Sequence, residues 1–233
     1  MLEPFRRNIE TDNLLNERYP SPKDFAGGVR VAPPRVREGI LRGIVTEGIP
    51  FAFRDRPTLY EEIRDFLAAR LDIPPRNITL IGSARLGYSL APAAYGRPFD
   101  AASDLDFSAV SEALFHRIAD AFHQWETDIA TGRETLTEAR EKRFWRENLA
   151  TIPCNLRRGF IDPYKVPNRY KIVHDVQQSL WLLRERLVRT PPLMTIKGAS
   201  MRVYCSWDAF ARQQQLNLTL LVRRSLESLI QNS

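Results

Sequence analysis

Cysteine and histidine are scarce in this chain, with two and three in 233 residues. Cys154 and Cys205 lie far apart and match no metal-ligand spacing, which excludes a disulfide framework or a Cys/His zinc site. They are expected as small, semi-buried hydrophobes. No apolar run is long enough to span a bilayer, and the opening residues MLEPFRRNIETDN lack the apolar core of a secretory signal. A cytoplasmic location and no membrane partner are therefore expected. Internal repeats, low-complexity tracts and a polybasic tail are also missing. What is present, 43% apolar and 27% charged residues, describes a folded globular chain and excludes a disordered one. The net charge of +6 and sequence pI near 9.6 favour an anionic partner, nucleic acid or nucleoside triphosphate. The arginines are scattered, in pairs such as Arg6-Arg7, Arg157-Arg158 and Arg223-Arg224, and a solvated face explains each pair as well as a binding surface does.

Hydropathy and breaker residues predict a mixed α/β core followed by a helical C-terminal third. Residues 1–56 are broken by Pro20, Pro22, Pro33, Pro34 and Pro50 and are expected to form an irregular arm with one short helix over Val36–Val45. After Pro57, a Thr58/Glu61 capping box starts a helix carrying Leu59, Ile63, Phe66, Leu67 and Leu71. Asn77–Ile81 reads as a buried strand. Leu105–Val110 reads as another, with Asp104 and Asp106 on one face and Leu105 and Phe107 on the other. Helices are predicted from Ser111 onward, over Glu134–Asn148, over Arg169–Arg189, and from Trp207 to Ile230 with Ser206 as the cap. A short strand is expected at Asn155–Ile161, and β-formers surround Gly198 between Met194 and Tyr204. Trp125, Phe144, Trp145, Trp181 and Trp207 fit helix faces and are expected in the core. His116 and His123 fall on one helix face by spacing that is usually coincidence.

Two neighbouring motifs carry chemistry. The first is Ile81-Gly82-Ser83-Ala84-Arg85-Leu86-Gly87, directly after a strand. Gly82 lets backbone approach a ligand closely, and Ser83 offers a hydroxyl beside amides at a helix start. It is not a Walker A loop, because no Gly-Lys-Ser/Thr follows. The second is Ser103-Asp104-Leu105-Asp106-Phe107. On a strand its two carboxylates share one face and repel unless a cation lies between them. Hard oxygen ligands of this kind select Mg²⁺ or Mn²⁺.

Strand, Gly-Ser turn, short helix and Asp-x-Asp on the next strand together resemble the nucleotidyltransferase superfamily, whose fold is that of DNA polymerase β. The resemblance is strong over residues 77–111 and closest to compact bacterial branches, some found with antiphage defence and toxin–antitoxin systems. It implies an α/β (α+β) nucleotidyltransferase core over 57–165 and a helical region over 166–233. It also implies a metal-dependent transfer of a nucleoside monophosphate from a triphosphate to RNA, a protein hydroxyl or another nucleotide, releasing pyrophosphate. Gly82 and Ser83, with Arg85 in the same turn, would hold the triphosphate, and Asp104 and Asp106 the metals. The third carboxylate of the family is best matched by Asp162, after the expected strand 155–161. The segment between Ser83 and Asp104 is longer than the family pattern, so residues 90–102 are expected as an excursion over the site, with Arg97 a candidate phosphate clamp beside Tyr95 and Asp100. Lys197 and Tyr204 are candidates for phosphate and base contacts. A catalytically degenerate relative that binds nucleotide or nucleic acid is the alternative.

Overall fold

Pro22, Pro34 and Pro57 each occupy the first turn of a helix, where the missing N–H is an orphan anyway and the fixed φ is already helical. The computed structural model of the chain describes residues 9–135, 139–191 and 195–231. Arg6-Arg7, Met194 and the side chains of Arg223-Arg224 lie outside the described residues. The N-terminal segment is helical rather than irregular: α1 (Ile9–Asn16), α2 (Pro22–Val31) and α3 (Pro34–Ile40), then a π-helical turn at Leu41–Thr46 and a 3₁₀ turn at Phe51–Phe53. Of the prolines read as breakers, Pro22 and Pro34 open helices, and Pro33 and Pro50 stand immediately before helical turns. With Pro57 opening α4 (Pro57–Leu71), Thr58 falls inside the helix, and the expected capping box does not form.

The chain continues through β1 (Ile78–Ile81), α5 (Ser83–Leu86), β2 (Asp104–Val110), α6 (Glu112–Ala130) and α7 (Ala139–Arg157). It then runs through β3 (Phe160–Ile161), α8 (Lys171–Arg189), β4 (Gly198–Tyr204) and α9 (Trp207–Gln231). Ser111 caps α6 by accepting from the Leu114 N–H at 3.2 Å, and Ser206 caps α9 through the Ala209 N–H at 3.2 Å. The strand expected over Asn155–Ile161 shrinks to two residues, because α7 runs on past Pro153 to Arg157. Gly159 then turns the chain at φ 79°, where an added Cβ would lie 2.8 Å from both the Ala209 Cβ and the Cys205 Sγ.

The result is mixed α/β, with a four-stranded sheet in the order β1-β2-β4-β3. β4 runs parallel to β2 and antiparallel to β3. The chain divides into two compact units. The first comprises 1–55, 81–99 and 211–233; the second comprises 56–80 and 100–210. The N-terminal segment thus groups with the turn after β1 and with the distal part of α9.

In the first unit, Phe25, Val29, Ile40, Leu41, Ile44, Leu86, Tyr88 and Leu218 form a buried cluster. In the second, Leu105, Phe107, Ala109, Met201 and Val203 supply one buried sheet face. α8 buries Val173, Val176, Leu180 and Leu183 and packs on β4, α4 and α6. Among the described residues, no helix is long and apolar enough to cross a membrane.

Candidate functional site

The parallel register between β2 and β4 sets Asp104 opposite Gly198, Asp106 opposite Ser200 and Ser108 opposite Arg202. Paired residues of neighbouring strands point to the same sheet face, so this face carries two carboxylates, two hydroxyls and a guanidinium. Asp104 is partly exposed, with the Lys197 Nζ 4.0 Å from its carboxylate. Gly198 leaves it room: a Cβ there would lie 3.0 Å from the Asp104 Oδ1.

Asp106 is half-buried and accepts a hydrogen bond from the Ser200 hydroxyl at 2.7 Å. Burial pushes its carboxyl above the ordinary range and the charge of Asp104 adds to this; the Ser200 hydrogen bond and the charge of Arg202 oppose the shift without cancelling it. The pair expected to share one strand face does so, at an energetic cost that a bound cation would relieve. Among the described residues, however, no group of three or more His, Cys, Asp or Glu gathers to hold a metal.

Asp162, the expected third carboxylate, is otherwise engaged. Its side chain is 4% exposed and accepts from the Arg202 Nε at 2.6 Å and Nη2 at 3.1 Å, with the Lys165 Nζ at 3.3 Å. Both oxygens are committed to cations. Burial alone would weaken the charge on Arg202, but the hydrogen bonds and charge of Asp162 outweigh it and hold the guanidinium firmly protonated. Arg202 also lies over the Phe160 ring, 4.6 Å from its centroid. Beside it, the fully buried Ser108 hydroxyl has no hydrogen-bond partner among the described residues.

Ser200 and Arg202 were not singled out in the sequence, and Gly198 was read only as part of a β-rich run, because nothing in their spacing says that β4 pairs with β2. A Ser-x-Arg on a β-rich run following a glycine was the only signal. Tyr204, considered for a base contact, is fully buried between the rings of Phe160 and Phe210, at 5.9 and 5.1 Å.

In the first unit, Gly82 adopts φ 70°, ψ −151°, a region essentially reserved for glycine. The short α5 then spends the Arg85, Leu86 and Gly87 amides on the carbonyls of Gly82 and Ser83. Ser83 is half-buried. Arg85 is not presented to a ligand: it is 2% exposed and donates to the carbonyls of Ile44 at 3.1 Å, Gly48 at 2.8 Å and Glu47. It clamps the end of the π-helical turn, which explains why a charged residue sits in the core.

The segment 90–99 folds onto its own unit. Its amides and carbonyls close against Ser89 and Gly87, and the Tyr95 hydroxyl donates to the Pro22 carbonyl at 2.5 Å. Burial pushes the Tyr95 phenol up to about 12. Arg97 is exposed on this loop; Asp100 belongs to the second unit and accepts from the Ser103 hydroxyl at 3.1 Å.

Of the five aromatic residues expected in the core, Trp125 is fully buried, whereas Phe144, Trp181 and Trp207 are exposed. Trp145 is half-buried and donates its indole N–H to Glu141 at 3.1 Å. His116 and His123 are exposed and pair with Glu112 and Glu126. Both cysteines are free, and Cys154 is exposed rather than semi-buried. The chain matches no known family model, no curated protein and no solved structure.

Proposed function

We propose that the chain is a metal-dependent nucleotidyltransferase with a polymerase β-like core. The observation that carries this reading is the Asp104/Asp106 pair on one face of β2, with Asp106 held above its ordinary pKa. The donor set fits a hard divalent cation: two carboxylates, one of them partly open, that destabilise each other when both are ionised. Mg²⁺ or Mn²⁺ bound there would neutralise charge on a triphosphate.

The protein's own residues supply the rest. The Ser200 hydroxyl fixes the rotamer of Asp106, and Gly198 keeps the space beside Asp104 clear. Gly82 and Ser83 are assigned to the phosphates by the resemblance stated above. In the reaction, an acceptor oxygen bonds to the α-phosphorus as the bond to the bridging oxygen breaks. Pyrophosphate leaves with that electron pair, and the acceptor proton passes to solvent. Arg85 has no part in this reading.

The commitment of Asp162 to Arg202 favours a second reading, a degenerate relative that binds nucleotide or nucleic acid without turnover, as a module in a bacterial defence or toxin–antitoxin system. Incubation with α-³²P-labelled triphosphates, Mn²⁺ and candidate RNA or protein acceptors separates the two. Transfer that is abolished in Asp104→Ala/Asp106→Ala supports the enzyme. Transfer that survives the double substitution eliminates it. Triphosphate binding without transfer supports the module.

A further inference from the structure

A cavity of about 510 Å³ opens within the second unit, between α8, the start of β4 and the turn after β3. Its size is that of a small-molecule site. Its walls include Gly198 and Ser200, the residues that face Asp104 and Asp106 across the strand pair. Two aromatic side chains also border it, Tyr164 and Trp181, and they are 51% and 57% exposed.

Trp181 lies off the apolar stripe of α8, which is made by Val173, Val176, Leu180, Leu183 and Leu187. It meets no other aromatic ring among the described residues. A single exposed tryptophan needs no explanation, but two largely exposed aromatic rings bordering one cavity form an open apolar surface suited to a flat ligand. Arg184, one turn further along α8, lines the same cavity. Among the described residues its shielded Nε has no hydrogen-bond partner, and its Nη1 lies 3.7 Å from the Glu185 carboxylate, so the planar guanidinium keeps N–H donors to spare beside the cavity.

Flat aromatic rings beside a planar guanidinium, between helix and strand, match one ligand chemistry well: an aromatic heterocycle bearing ring or carbonyl acceptors. We infer that this cavity binds a nucleobase, stacked on Trp181 or Tyr164 and held at its edge by Arg184. This deepens the proposed function and rests on it for the origin of the base. The base belongs either to the donor triphosphate or to the end of an acceptor strand.

Calorimetry with each of the four ribonucleoside triphosphates and Mn²⁺, with inorganic tripolyphosphate and Mn²⁺, and with a single-stranded RNA hexamer tests it. Trp181→Ala and Tyr164→Ala are expected to weaken triphosphate binding, hexamer binding or both by about tenfold, leaving tripolyphosphate unaffected. Loss for the triphosphate identifies the donor base, and loss for the hexamer the acceptor base. Trp207→Ala, also an exposed tryptophan, is expected to change nothing. Asp104→Ala/Asp106→Ala should instead weaken tripolyphosphate. If both aromatic variants bind triphosphates and hexamer as the parent does, the cavity is not a base site, while loss of tripolyphosphate in the double variant would leave the transferase reading standing. If the parent binds no triphosphate but the hexamer is lost in the aromatic variants, the transferase reading fails and the base site remains.

Discussion

Asp106 combines three pressures that a single residue rarely bears without purpose: burial, a carboxylate two positions away on the same strand face, and a hydroxyl that locks its rotamer. Its folded pKa lies above the unfolded one. The stability linked to its protonation is therefore fully present below the unfolded value of 3.8 and is lost as pH rises through the raised folded value. At neutral pH the ionised side chain opposes folding. Asp106→Asn should therefore raise the metal-free melting temperature at pH 7, by about 2–4 °C for an effect on the order of 1 kcal/mol. The gain should fade as pH falls into the carboxylate range. Mn²⁺ should stabilise the parent by mass action and do much less for the variant. Differential scanning calorimetry across pH 4–8 with and without Mn²⁺ checks this; a variant less stable than the parent at pH 7 without metal would refute the electrostatic account.

Among the elements, β4 gives the polar face its composition. Its alternation places Gly198, Ser200 and Arg202 beside β2, while Met201 and Val203 go to the core. The residue after β3 then supplies the counter-ion for Arg202. Removing one partner of a buried ion pair leaves an uncompensated charge, which costs about 3–5 kcal/mol. Asp162→Ala is therefore expected to destabilise the fold by that amount, measured by urea unfolding without metal. The shift on adding Mn²⁺ should stay at the parent value. A variant of unchanged metal-free stability that loses the Mn²⁺ shift would make Asp162 a metal ligand after all.

The Asp-x-Asp strand, the glycine turn and the long helices were legible in the sequence because each rests on a local period or a local backbone requirement. The pairing of Asp162 with Arg202 was not, since forty positions separate the two and no spacing encodes a contact between strands that are distant in sequence. Arg85 misled for the opposite reason. A cation next to a glycine turn looks like a phosphate ligand until the carbonyls of 44–48 are seen to surround it.

Over the whole molecule, the chain passes between its two compact units four times, after residues 55, 80, 99 and 210. The first lies beside the boundary expected at residue 56, just before Pro57; the passages after 80, 99 and 210 fall inside segments that were read as continuous. The last passage lies inside α9, so one helix contributes Phe210 to the second unit and Leu218 to the core of the first. Leu218 is 3% exposed among Phe25, Val29, Ile40 and Leu86, and truncating such a leucine typically costs about 2–5 kcal/mol. If each unit has its own cooperativity, Leu218→Ala should lower hydrogen-exchange protection in α2 and α3 by that amount and leave β2 and β4 at parent values. The helix that joins the units makes the opposite outcome physically reasonable, which gives the measurement its force. Equal loss of protection in both sets of amides would mean that the chain unfolds as one cooperative body. The polar face of β2 and β4 would then depend on every core residue of the first unit, and stability effects at Asp106 and Asp162 would have to be read against that shared background.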